Sequence, residues 1–253
     1  MMSLPLVRYV LIAAFRDKLI LSLMIVLLLG SSLSVFFGSS AIIEKDQFTV
    51  VFAGASLRMV SIFGLVLFVV FFIRRSFESK DIEYLLSRPV GRLSIIFSYA
   101  LAFSILSILI GLCTGIAIYS VSPHLFGYGH VVWITSIIVE AIIMVNTALF
   151  FAMYISSAAS ACMATLGVYV LGRLMGQLLG IADSSLVDSS GVYAMALQLV
   201  SFITPRLDLL GQTSWLIYGY DGSYGLVEAV IQGAVFSALI LLATCLDFVR
   251  RQF

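Results

Sequence analysis

Residues 74–92, RRSFESKDIEYLLSRPVGR, are the most polar run in a chain that is otherwise almost wholly apolar. The run holds five basic and three acidic residues. Apolar stretches long enough to cross a bilayer flank it on both sides, so it belongs at a membrane face. Its density of Arg and Lys assigns that face to the cytoplasm. Within it, Ser79 is placed to cap a helix, with Asp81 in the first turn where the helix dipole favours an anion. Ile82, Leu85 and Leu86 fall on one face at helical spacing. Pro89 disfavours a helical Arg88 and ends the helix. The reading is a short amphipathic helix, about residues 76–88, between two membrane spans. Such a helix either lies in the lipid interface or docks a soluble partner, and its local chemistry suits both.

Working outward, the composition agrees. Of 253 residues, 62% are hydrophobic and 11% charged, whereas soluble domains are about half apolar and about a quarter charged. The chain is an integral membrane protein, all-α, with the lipid bilayer as its first partner. The net charge of +1 is distributed in belts rather than pooled, so no nucleic-acid partner is expected. Cys113, Cys162 and Cys245 lie in apolar runs at spacings that match no zinc or redox motif, and read as small buried hydrophobes.

Six spans are expected, over residues 19–38, 52–73, 93–121, 131–155, 161–181 and 226–248, in one transmembrane domain covering 1–253. Residues 1–18, with Arg8, Arg16 and Lys18, read as an amphipathic lead-in on the cytoplasmic surface. A secretory signal, with an apolar core over 19–30 and a cleavage site near Ser39, is the alternative. It fits less well, because the apolar run continues to Phe37. The break between spans four and five, at residues 156–160, carries no charge and rests on length: one helix of 50 residues would run about 75 Å. Residues 183–225 form a polar outer loop. Its apolar segment, 192–203, is too short to cross and reads as a re-entrant or interfacial helix ending at Pro205. Ten basic residues fall on the face of the opening stretch and two, Lys45 and Arg206, on the other. That bias predicts both termini in the cytoplasm of a multi-pass protein.

The run from Glu78 to Arg92 resembles the cytoplasmic coupling helix of ABC-2 type transporter permeases. The matching positions are Glu78, Glu83, Leu85, Leu86, Ser87, Pro89, Val90 and Arg92. Asp81-Ile82 replaces the family's Gly-Thr, and Gly91 its Ser. The segment Thr204-Pro205-Arg206-Leu207-Asp208 resembles a Pro-x-Leu-Asp stretch that precedes the last span in permeases linked to multicopper-enzyme maturation, including those serving nitrous oxide reductase assembly. The resemblance implies an exporter subunit whose ATPase is a separate chain. That ATPase would carry ATP and Mg, and would dock on Glu78, Ile82, Glu83, Leu85, Leu86, Pro89 and Arg92. It also implies a homodimer, or a pairing with a similar permease, in the bacterial inner membrane.

The residues themselves add limits. No P-loop, nucleophile elbow or H-E-x-x-H motif occurs, so no catalytic residues and no cofactor of its own are assigned to this chain. His124 and His130 flank one outer loop without a third ligand, and read as ordinary loop histidines rather than a metal site. Charges inside spans are costly and face protein or water. Glu140 and Arg173 lie at similar depth, about 22–27 Å from the turn between spans four and five. Arg58 reaches a similar depth and Glu228 opens the last span, so the four are expected in one polar layer. That layer is either a structural ion pair or a charge relay. Gly172, Gly176 and Gly180 in span five, and Gly111 and Gly115 in span three, allow close helix approach within the chain or across a dimer. The competing functional reading is a stand-alone proton-coupled carrier that uses Glu140 and Arg173. A membrane-embedded enzyme ranks third.

Overall fold

The computed structural model describes residues 3–40, 44–86, 91–182, 191–220, 222 and 225–250, and these are helical throughout their regular structure. The helices are α1 (Leu4–Arg16), α2 (Lys18–Ser39), α3 (Lys45–Glu78), α4 (Asp81–Leu86), α5 (Arg92–Val121), α6 (Tyr128–Tyr154), α7 (Ala158–Ala182), α8 (Gly191–Ile203), α9 (Trp215–Tyr218) and α10 (Leu226–Arg250). Among the described residues, α2, α3, α5, α6, α7 and α10 are long and apolar enough to cross a membrane. The chain is therefore a multi-pass membrane protein. The second span departs most from its expected length: the 34 residues of α3 run about 51 Å, well beyond the roughly 30 Å hydrocarbon core.

Consecutive spans alternate in direction. At one end, here the terminal end, Asp17 separates α1 from α2. Its carboxylate accepts the Leu19 amide at 2.9 Å and the Arg75 guanidinium at 3.0 Å, so one side chain caps α2 and ties it to the end of α3. At the same end Arg92 Nη1 donates to the Val249 carbonyl at 3.1 Å and closes the last turn of α10, where a cation also suits the helix dipole. At the other end, the loop end, His124 Nε2 lies 3.2 Å from Asp46 Oδ2.

α6 is the hub, packed on α3, α5, α7 and α10. In lipid the hydrophobic effect does not drive one helix onto another; close packing and polar contacts do. The glycines of α5 supply the packing. A Cβ at Gly111 would lie 2.4 Å from Ile138, and one at Gly115 2.7 Å from Ile134, so α6 side chains occupy those notches. Ser61 and Thr114, 2.6 Å apart, link α3 to α5 with a buried hydroxyl pair. α1 does more than rest on lipid. Leu6, Val7, Val10 and Ala14 are buried, the helix packs on α5, and the Ser3 amide donates to Ser98 at 3.1 Å.

The helix boundary near the opening stretch differs from the sequence reading. Ser79 does not start the short helix; it is the C-cap of α3, and its hydroxyl lies 2.7 Å from Asp81 Oδ2. Lys80 then takes a left-handed conformation at φ 60°, which turns the chain and leaves α4 only six residues.

Candidate functional site

The loop end holds the polar core. Residues 204–219 leave α8 and insert among α3, α6 and α7 rather than lying over them. Leu207, Leu210, Trp215 and Leu216 are buried. Glycines on all three helices form the socket. A Cβ at Gly54 of α3 would meet Leu216 at 2.6 Å; at Gly129 of α6, the Trp215 carbonyl oxygen at 2.1 Å; at Gly172 of α7, the Pro205 carbonyl oxygen at 2.8 Å; at Gly176, Asp208 at 2.5 Å. Gly172 and Gly176 therefore receive a loop, not another span, and Gly180 meets nothing.

An irregular segment at membrane depth carries backbone groups that helix bonds do not satisfy. The intramembrane charges meet that need. Arg173 Nη1 donates to the Leu207 carbonyl at 2.5 Å and to the Leu210 carbonyl at 2.7 Å. Arg58, nearly fully buried, donates to the Gly211 carbonyl. The Gly211 amide in turn donates to Ser136 Oγ at 3.0 Å. Gly211 sits at φ +58°, where a side chain would be strained, and its missing Cβ leaves room for Arg58 and Glu140, each 3.2 Å from that point.

Glu140 is the counter-charge. It is fully buried, with Arg173 Nη1 3.9 Å from Oε1 and both guanidinium groups and the Tyr169 hydroxyl facing it. At 3.9 Å the Glu140–Arg173 contact is an ion pair rather than a hydrogen bond. The closer bonds of both arginines go to the inserted loop. Neither carboxylate oxygen of Glu140 has a hydrogen-bond partner within 3.5 Å. The expected polar layer thus assembles from Arg58, Glu140 and Arg173, while Glu228 stands apart. It is exposed in the first turn of α10 and lines a separate cleft with Arg206. There Arg206 makes two bonds to Asp208, Nε at 3.1 Å and Nη2 at 2.8 Å. Hydrogen bonding to Asp208 raises the guanidinium further above its ordinary value.

The sequence reading missed Ser136, Tyr169 and the Leu207, Leu210 and Gly211 backbone. Only Gly211, a glycine between two polar-loop segments, carried any signal. The two histidines separate. His124 is exposed beside Asp46, and His130 is buried with Nδ1 accepting the Gly127 amide at 3.3 Å.

At the terminal end, the residues expected to dock a partner divide. Ile82 is 1% exposed and belongs to the chain's own core, so it is unavailable as an anchor on the docking face. Leu85 is half-buried against that core. Arg92 is exposed and bonded to α10. Glu78 is exposed. The outward side of α4 shows Tyr84, 62% exposed. Pro89, and the side chains of Glu83 and Leu86, lie outside the described residues.

Comparison with protein-family profiles finds no match for the chain, and comparison with curated proteins finds none either.

Proposed function

We propose that the chain is the membrane-spanning permease subunit of an ABC-type exporter, and that it couples ATP hydrolysis on a separate ATPase to movement of a substrate. One observation carries the reading. A short helix, α4, sits between the second and third spans on the end of the protruding α3, where its flanking residues resemble the coupling segment of ABC-2 permeases. Arg74, Arg75, Lys80 and Arg92 surround it, which suits a cytoplasmic face of the inner membrane. ATP and Mg would belong to the partner, and a second copy or a similar permease would complete the pore. A stand-alone proton-coupled carrier draws support from the buried Glu140. The arginines beside that carboxylate are committed to loop carbonyls, which favours a locking role over a relay.

The docking test follows the exposed side of α4. Tyr84→Ala, alone or with Leu85→Ala, is expected to weaken association with the ATPase more than tenfold, as loss of a contact worth about 2 kcal/mol would. Expression should stay near wild type for Tyr84→Ala, whose side chain is 62% exposed. Ile82→Ala should instead lower the thermal midpoint, because it opens a cavity in the chain's own core. Unchanged co-purification and ATP hydrolysis with Tyr84→Ala and Leu85→Ala together would remove docking at this helix. Orientation is tested separately. Reporter fusions after Lys80 should read cytoplasmic and fusions after Lys45, His124 and Asp188 periplasmic; the opposite pattern would place α4 out of reach of any ATPase.

A further inference from the structure

From the cleft between α8 and α10 we infer a binding site for the headgroup of a zwitterionic aminophospholipid, a phosphodiester next to a primary ammonium. The cleft holds about 230 Å³ and is lined by Gln198, Phe202, Arg206, Glu228 and Gln232 among others. That is room for roughly seven water volumes, enough for a headgroup and too little for acyl chains.

Its polar groups are of both signs, and Arg206 and Gln232 among them are fixed. Asp208 grips Arg206 through Nε and Nη2, which sets the plane of the guanidinium and leaves Nη1 to meet a phosphate oxygen. Gln232 spends its amide nitrogen on the Ser201 and Thr204 carbonyls, at 2.8 and 3.2 Å, so its oxygen remains as an acceptor. Glu228 is exposed in the same cleft. A cationic edge and a carboxylate, side by side, match a ligand that carries both charges. A headgroup with a phosphate alone would meet the Glu228 charge unbalanced, since Asp208 already neutralises Arg206. A quaternary ammonium would have no N–H to give Glu228 or Gln232.

A second, independent feature favours the lipid over a free solute. α8 has no charged residue, and Met195, Leu199, Phe202 and Ile203 are exposed along it at helical spacing, Phe202 at 85%. Thirteen residues are too few to cross a bilayer, so this face lies in the acyl boundary. Phe202 belongs both to that face and to the cleft wall. A headgroup in the cleft therefore has its chains laid along α8. The site requires only that the protein spans a membrane, and does not depend on a partner ATPase.

The test is lipid retention by native mass spectrometry on the full-length protein, released from vesicles of equal parts phosphatidylethanolamine, phosphatidylcholine and phosphatidylglycerol. Phosphatidylethanolamine should be retained about tenfold over the other two, the factor that one charge-assisted hydrogen bond commands. Glu228→Gln keeps the shape and sits on an exposed position, so it should fold normally and lose that preference. Equal retention of the three lipids by the wild type, or an unchanged preference in Glu228→Gln, would overturn the site. Soluble glycerophosphoethanolamine should displace the lipid only in large excess. Displacement at equal concentration would overturn the lipid assignment, because the chains would then contribute nothing.

Discussion

Glu140→Ala is expected to be among the most damaging single substitutions, at about 3–5 kcal/mol, because it leaves the buried Arg58 and the half-buried Arg173 without their counter-charge. The natural cluster carries two positive charges and one negative. Without Glu140 it carries two positive charges and no negative one, and Arg173 Nη1 loses the carboxylate that lies 3.9 Å from it. Arg173→Ala should match that loss for a different reason. It removes a partner of Glu140 and also strips the Leu207 and Leu210 carbonyls of their donor. The double variant restores the natural net charge with one arginine, so its loss should be clearly smaller than the sum. Reversible unfolding in mixed micelles would measure the cycle. Additive losses would mean that Glu140 and Arg173 act independently and that the cluster is no unit.

Gly129→Ala should rival it. Its Cβ would stand 2.1 Å from the Trp215 carbonyl oxygen and 3.0 Å from the Gly219 Cα, both backbone atoms. No rotamer relieves such a clash, so the inserted loop must back out of its socket, at about 1–3 kcal/mol or more. Trp133 and Trp215 are the chain's two tryptophans and both are buried. Emission should move to the red as Trp215 meets lipid headgroups and water. Gly180→Ala is the matched control on α7: its Cβ meets nothing, and helix propensity gains up to about 1 kcal/mol. Identical emission and thermal midpoints for Gly129→Ala and wild type would show that the loop does not bind there.

The spans were legible because length and apolarity alone define them. The expected 93–121 and 226–248 fall within a residue or two of α5 and α10. Boundaries failed where the helix outran the expected span: residues 45–51 read as loop and 76–78 as the start of a separate short helix, yet α3 continues through both. Ser79 misled because the same hydroxyl chemistry serves a helix start or a turn after a helix end. In the site, depth arithmetic brought Arg58, Glu140 and Arg173 together, since rise per residue is fixed. It did not show that Glu228 faces another cleft, with Arg206, because depth does not specify azimuth. The acceptors of both arginines stayed hidden for a simpler reason. They are main-chain carbonyls, and every residue has one.

The contact between Arg58 and Gly211 spans 153 residues of sequence, and this imposes an order on biogenesis. A ribosome delivers α3, α6 and α7 with their charges well before the loop that will receive them. Until residue 211 emerges, Arg58 and Arg173 have only Glu140, membrane-dissolved water or an insertion factor for company. The bonds that satisfy both arginines are therefore complete only once residue 211 has been made. A chain arrested before residue 204 would be a natural substrate for membrane quality control, recognised by charges that the finished protein conceals.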